Sequence, residues 1–171
     1  LYAPTWRDNQ HEAGTGFTYD LNVDFDALRE ELGDEYVILF RVHYLVASKF
    51  SFDDYEGFIY NVSSYDDINH LYLIADLLIT DYSSIYIDYL LLERPMLFLP
   101  YDREDYLKTR GFNFDYDEVT PGPKPKSYAE FLNSIEGLLY NEMNYVENRK
   151  KIERKFNKIQ EPCSEYICRM V

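Results

Sequence analysis

Two adjacent hydroxyls, Ser83 and Ser84, follow the apolar run Leu77-Leu78-Ile79-Thr80 and open a helical pattern. Hydroxyls at a helix start sit beside unpaired backbone N–H groups and the positive end of the helix dipole, which makes an anion site. Plain N-capping by serine is the alternative. No glycine-rich loop accompanies the pair, so the segment is neither a P-loop nor a dinucleotide fingerprint. Asp88 comes one helical turn after Ser84, near the same face. A carboxylate there repels phosphate but accepts hydrogen bonds from sugar or polyol hydroxyls. Among Ile85, Tyr86, Ile87, Tyr89, Leu90 and Leu91 it would be costly to bury without a partner. Arg41, Val42 and His43 follow a second apolar run, and residues two apart in an extended segment share a side. The Arg41 guanidinium can grip a phosphate with two parallel hydrogen bonds. The His43 imidazolium beside it can neutralise charge on a departing phosphate or transfer a proton. Pro4, Thr5 and Arg7 follow the opening run Leu1-Tyr2-Ala3. Thr5 is expected to donate to phosphate or base edges, and Arg7 to pair with Asp8 or a substrate phosphate.

Such residues need a scaffold that gathers them. Tyr36–Phe40, Phe58–Val62, Leu77–Thr80 and Met96–Leu99 are apolar on both faces, as strands inside a parallel sheet are. Leu1–Pro4 reads as the end of a further buried strand, which suggests a fragment of a longer protein. Helical patterns alternate with these runs. Asp24 caps a segment ending near Leu32, Asp66–Ala75 is a second, and Ser83–Leu92 is a third, apolar nearly all round and so buried. The alternation predicts an α/β fold with a doubly wound parallel sheet. Ligands of such sheets bind beyond the C-terminal strand ends, so the three segments are expected to converge on one crevice. After the loop Pro121–Pro125, Ser127 and Glu130 form a capping box that opens a helix. Another helix is expected from about Glu142 to Gln160.

A net charge of −14 argues against a nucleic-acid partner, since phosphate neutralisation needs a basic face. Residues 1–100 hold five Lys/Arg against 18 Asp/Glu, so affinity for polyanions is expected in the remainder. There Arg149–Lys158 holds six positive charges in ten residues, read as a solvated helix face or, alternatively, as contact with an anionic membrane surface or polymer. No apolar run approaches the roughly 20 residues of a membrane helix. Cys163 and Cys168 match no disulfide framework or metal spacing. Asp53-Asp54 and Asp66-Asp67 could suggest a metal, but Asp66-Asp67 reads more simply as a cap of the following helix, and no metal site is expected. Asn61-Val62-Ser63 is discounted as a glycosylation sequon because its strand looks buried. His11 lacks a functional partner, as does His70, which reads as a surface or packing residue. No Gly-x-Ser-x-Gly hydrolase elbow occurs.

Several segments, in order, resemble one family: Tyr2-Ala3-Pro4-Thr5-Trp6-Arg7, Arg41-x-His43, Ser64–Tyr72, Ile79–Ser84 with Asp88-Tyr89, Arg94-Pro95, and Arg110-Gly111-Phe112. These are similar to the CDP-glycerol glycerophosphotransferases of teichoic acid synthesis and their ribitol-phosphate relatives. The resemblance implies the C-terminal, nucleotide-binding half of a glycosyltransferase-B-like pair of Rossmann-like halves. Residues 1–171 would form this one domain, with 127–160 as its C-terminal helices and the N-terminal acceptor half missing. The CDP-polyol contacts would fall on Pro4, Thr5, Arg41, Val42, His43, Ser83, Ser84 and Asp88, with His43 catalytic. The resemblance implies no cofactor and no metal. CDP-glycerol or CDP-ribitol is the donor, and a lipid-linked polyol phosphate is the acceptor, held by the missing half together with the general base. It also implies a cytoplasmic protein, peripheral at the inner face of the bacterial membrane. The acidity of this half is a departure that leaves membrane contact to Arg149–Lys158 or to the missing half. Two alternatives remain: a nucleotide-sugar glycosyltransferase of the same fold, and a non-catalytic module that holds an anionic polymer.

Overall fold

The computed structural model describes residues 1–5, 11–12, 16–17, 23–43, 47, 50–140, 145–159 and 163–170. Its strands are β1 (Tyr2–Ala3), β2 (His11–Glu12), β3 (Gly16–Phe17), β4 (Ile38–Phe40), β5 (Ile59–Asn61), β6 (Leu78–Thr80) and β7 (Met96–Phe98). Strands β2 and β3 form a small antiparallel pair. The other five make one parallel sheet in the order β5-β4-β1-β6-β7. Each apolar run of the sequence contributes one of these strands. The chain starts at the centre, winds outward through β4 and β5, then returns to β6 and winds outward on the other side. The direction of winding reverses between β1 and β6.

Helices cover both faces, as a parallel sheet requires. They are α1 (Phe25–Leu32), α2 (Ile68–Ile74), α3 (Ile85–Tyr89), α4 (Arg103–Thr109), α5 (Tyr116–Val119), α6 (Tyr128–Tyr140), α7 (Val146–Phe156) and α8 (Ser164–Met170). Alternation along each strand divides the core in two. Ala3, Leu78, Met96 and Phe98 pack with Leu71 and Tyr72 of α2, Tyr89 of α3 and Ile152 of α7. Tyr2, Phe40, Ile59 and Leu97 pack on the other face with Leu28 of α1 and with Phe131, Ile135 and Leu138 of α6. Phe40, Leu78, Met96, Leu97 and Phe98 have no exposed surface.

The caps follow local chemistry. Asp24 accepts from Ala27 N at the start of α1. At the start of α2, Asp67 rather than Asp66 accepts from Asn69 N at 2.9 Å. Ser127 Oγ accepts from Glu130 N at 3.2 Å, while Glu130 reaches back to Lys126 N, one residue earlier than a capping box predicts.

Three expectations need correction. The third helix ends at Tyr89 and tightens into a 3-10 turn over Leu90–Leu92, and it is not buried all round, because Asp88 and, in the turn, Leu91 are exposed. The helix expected over 142–160 is α7; residues 141–144 and 160 lie outside the described residues. Its basic stretch is not wholly a solvated face. Arg149 is 2% exposed, and Lys155 Nζ sits 4.9 Å from the centre of the Phe114 ring. Lys151, Arg154, Lys155 and Lys158 are exposed.

Candidate functional site

Adjacent strands of a sheet lie about 4.8 Å apart. The loops leaving β4, β1 and β6 therefore emerge side by side at one edge, at the point where the winding reverses. Arg41–His43, Pro4–Thr5 and Asp81–Ser84 are those loops, in that spatial order. This is the crevice where open α/β sheets take their ligands.

Between β1 and β6 the two strand ends are joined. Thr80 Oγ1 donates to Ala3 O at 2.7 Å. Just past the strand ends, Thr5 N and Thr5 Oγ1 both donate to Asp81 Oδ1, at 2.8 and 2.5 Å. Tyr82 N donates to the same oxygen at 2.6 Å, and Tyr116 OH donates to Asp81 O at 2.7 Å. Thr5 thus directs its hydroxyl hydrogen to Asp81. Burial pushes the Tyr116 phenol well above its usual range, with the Asp81 carboxylate adding to the shift. Tyr82 stacks on Tyr106, ring centres 4.0 Å apart, and its hydroxyl donates to Asp102.

At the mouth of α3, Ser83 is half-buried and its Oγ accepts from Ile85 N at 3.4 Å, a long capping bond. Ser84 is exposed and makes no capping bond with its side chain. The helix they open has five residues, so its dipole is short. Asp88 is exposed, which removes the burial cost expected for it. Tyr72 of α2 has its phenol raised by burial first and by the Asp88 carboxylate second.

On the β4 side the chain leaves the strand at Phe40. Arg41 is half-buried, and its Nη1 donates to Val62 O at 2.9 Å and to Tyr65 O at 2.8 Å. The guanidinium thus ties down the loop that follows β5. Val42 is buried, and its amide donates to Ser63 Oγ at 3.1 Å. His43 is exposed at the crevice edge. In the neighbouring loop Tyr65 OH lies 3.2 Å from His70 Nδ1, and both residues are exposed, so His70 is a surface residue as expected.

Arg7 and the side chain of His11 lie outside the described residues. Asp67 sits below the usual carboxylate range, chiefly through the Asn69 amide bond. Among the described residues no group of three His, Cys, Asp or Glu side chains could hold a metal ion. Asn61 is exposed at the end of edge strand β5, so the premise of a buried sequon does not hold. Cys163 and Cys168 are free and exposed. An apolar cavity of about 290 Å³ lies at the opposite ends of the strands, lined in part by Leu28, Ile38, Phe58, Leu77 and Ile135. It shares none of the site residues.

Sequence reasoning missed Asp81 and Ser63 as parts of the site. A carboxylate directly after an apolar strand is a signal for the first, because it must be satisfied if buried. Ser63 carries no comparable signal.

A parallel sheet with its loops gathered at the reversal of winding places the chain among Rossmann-like α/β proteins of the glycosyltransferase-B-like kind. The sequence profile of the CDP-glycerol:poly(glycerophosphate) glycerophosphotransferases matches residues 1–171, and the chain belongs to that family. It is 43% identical to a teichoic acid poly(glycerol phosphate) polymerase of Bacillus subtilis strain 168, over 93% of this chain and 23% of that protein. It is 40% identical to a teichoic acid poly(ribitol-phosphate) polymerase of Bacillus spizizenii, over 82% of this chain and 23% of that protein. The fold matches the structure of the wall teichoic acid polymerase TagF with a TM-score of 0.85, at 38% identity, over 99% of this chain and 41% of that one. The chain thus spans less than half the length of these relatives.

Proposed function

We propose that this chain is the donor-binding part of an enzyme that transfers glycerol phosphate or ribitol phosphate from a CDP-polyol to a growing teichoic-acid-like polymer. The convergence of the loops after β1, β4 and β6 on one crevice carries this reading. Residues 1–171 act as one Rossmann-like domain, with 127–160 supplying its C-terminal helices. The acceptor, a lipid-linked polyol phosphate, is held by a different part of the polypeptide.

The donor contacts are Pro4, Thr5, Arg41, Val42, His43, Ser83, Ser84 and Asp88. His43, at the crevice edge, stabilises or protonates the departing phosphate. Arg41 contributes positive charge while Nη1 holds the 62–65 loop, which fixes the crevice wall. Ser83 and Ser84 lie toward the phosphates, and the exposed Asp88 accepts hydrogen bonds from hydroxyls. In the reaction a terminal polyol hydroxyl of the acceptor attacks the β-phosphorus of the donor. A new P–O bond forms as the hydroxyl proton passes to a general base on the part that holds the acceptor, the bond to the bridging pyrophosphate oxygen breaks, and CMP leaves. No metal is needed for this reading. Among the described residues no helix is long and apolar enough to cross a membrane. The exposed Lys151, Arg154, Lys155 and Lys158 suit peripheral contact with an anionic membrane at its cytoplasmic face.

The test is calorimetric titration with CDP-glycerol, CDP-ribitol, CMP and UDP-glucose, beside His43→Ala and Ser83→Ala. Binding confined to cytidine ligands, and weakened at least tenfold in both variants, is the expected outcome; tenfold corresponds to ~1.4 kcal/mol. Preference for UDP-glucose would favour a nucleotide-sugar transferase instead. Unchanged binding in both variants would remove the site from this crevice.

A further inference from the structure

Asp81 is 1% exposed, yet it carries a carboxylate at the first position past β6. A buried carboxylate persists only where hydrogen bonds satisfy it. One oxygen, Oδ1, accepts from Thr5 N, Thr5 Oγ1 and Tyr82 N. The bonds to Thr5 span 76 residues of sequence and cross from β6 to β1, the two strands on either side of the winding reversal. Asp81 is held in turn by Tyr116 OH on its own carbonyl, from α5. Both termini of this link continue directly into candidate donor contacts: Pro4 and Thr5 on one strand, Ser83 and Ser84 on the other.

Two consequences follow from the bonding. Thr5 has one hydroxyl hydrogen, and it points to Asp81, so the rotamer of Thr5 is set by a residue on the neighbouring strand. The bond to Tyr82 N fixes the direction in which the chain leaves β6, and so where Ser83 begins the turn into α3. We propose that Asp81 is a positioning residue for the donor site, setting the conformation of Thr5 and its spacing from Ser83 across the crevice. The role rests on the donor-binding reading above. Asp81 acts through Thr5 and Ser83 and needs no contact with the substrate. A negative charge beside the phosphates would weaken binding, and Asp81, 1% exposed, presents almost no surface.

The experiment measures CDP-glycerol affinity by calorimetry and thermal stability in the full-length protein, for Asp81→Ala, Asp81→Asn, Thr5→Val and Thr5→Ser. Asparagine keeps an oxygen where Oδ1 stands, and serine keeps the hydroxyl. Asp81→Ala and Thr5→Val are expected to weaken donor binding about tenfold. Asp81→Asn is expected to stay within about threefold, and Thr5→Ser to bind more tightly than Thr5→Val. The double variant Asp81→Ala/Thr5→Val is expected to be no weaker than Asp81→Ala alone, because the two act as one unit. A merely structural Asp81 would lower the melting temperature and leave the affinity of the folded protein unchanged, which overturns the proposal. Should Asp81→Ala fail to fold, the Thr5 pair decides: wild-type affinity in Thr5→Val overturns it. Arg41→Ala and His43→Ala separate the two claims. Wild-type donor affinity in both sinks the donor reading itself; loss in both with affinity kept in Asp81→Ala sinks only the positioning role.

Discussion

Ser63 is 8% exposed and its hydroxyl accepts from the buried amide of Val42, the residue between Arg41 and His43. Ser63→Ala leaves that N–H without its acceptor, which costs about 1–3 kcal/mol. The melting temperature is expected to fall by several degrees, measured by differential scanning calorimetry. An unchanged melting temperature would mean that the Val42 amide finds another acceptor. Residue chemistry at the crevice was only partly legible in the sequence. The position of Arg41, Val42 and His43 past a strand was readable from the apolar run before them. What Arg41 holds was not, because Val62 O and Tyr65 O are backbone acceptors 21 and 24 residues away and leave no mark on side-chain spacing. Asp88 misled for a related reason. Its apolar neighbours imply burial only if every face of α3 is covered, and the face bearing Asp88 is open.

Among the elements, the loop 121–125 is held tightly to the sheet. Phe98 N donates to Pro123 O, extending the hydrogen bonding of β7 beyond its partner strand. Gly122 lies so close that a Cβ there would meet Met96 O at 2.1 Å. Gly122→Ala must therefore displace backbone on one side or the other, and a loss of about 2–4 kcal/mol is expected. Gly137 is the opposite case. It sits inside α6 with nothing within 4 Å of an added Cβ. Gly137→Ala should stabilise the protein by up to about 1 kcal/mol, since alanine restricts the unfolded chain and favours helix. Urea titration of the two variants checks both signs together. The strands were legible because each is a short run apolar on both faces. Helices α4 and α5 escaped notice for want of an apolar stripe. In α4, Leu107 is exposed and only Tyr106 turns toward the Tyr82 ring, while α5 spans four residues.

At the scale of the whole molecule, tyrosines buried in both helical layers link stability to pH. Burial pushes Tyr86 up to about 12, and burial followed by the Asp24 carboxylate does the same for Tyr128. Tyr72, Tyr89 and Tyr116 are raised further, burial again being the main cause. An unfolded tyrosine ionises near pH 10.0, so above that pH the unfolded chain sheds protons that the folded one retains. Stability is thus unaffected by these groups below about pH 10 and falls as the pH climbs from there toward about 12. Melting temperatures followed across that window, with tyrosinate absorbance, should show unfolding and ionisation together. Ionisation completed before unfolding would contradict the burial. The doubly wound class was legible from the alternation of runs and helices. The strand order was not, because a sequence of strands does not state which of them are neighbours.

The position of β1 has a consequence for how the molecule is made. Its two residues are among the first in this chain, yet they occupy the centre of the sheet, with Tyr2 beside Phe40 on one side and Ile79 on the other. No sheet edge is available to them until residues some 40 and some 80 positions later can reach them. Contacts this distant in sequence slow folding, since the loop must close before the pairing rewards it. During synthesis β1 can pair with β4 first, but its other side must wait, unpaired and apolar, until β6 leaves the ribosome. Nascent chains arrested before β6 should therefore be cut readily by protease, and chains arrested after β7 should resist.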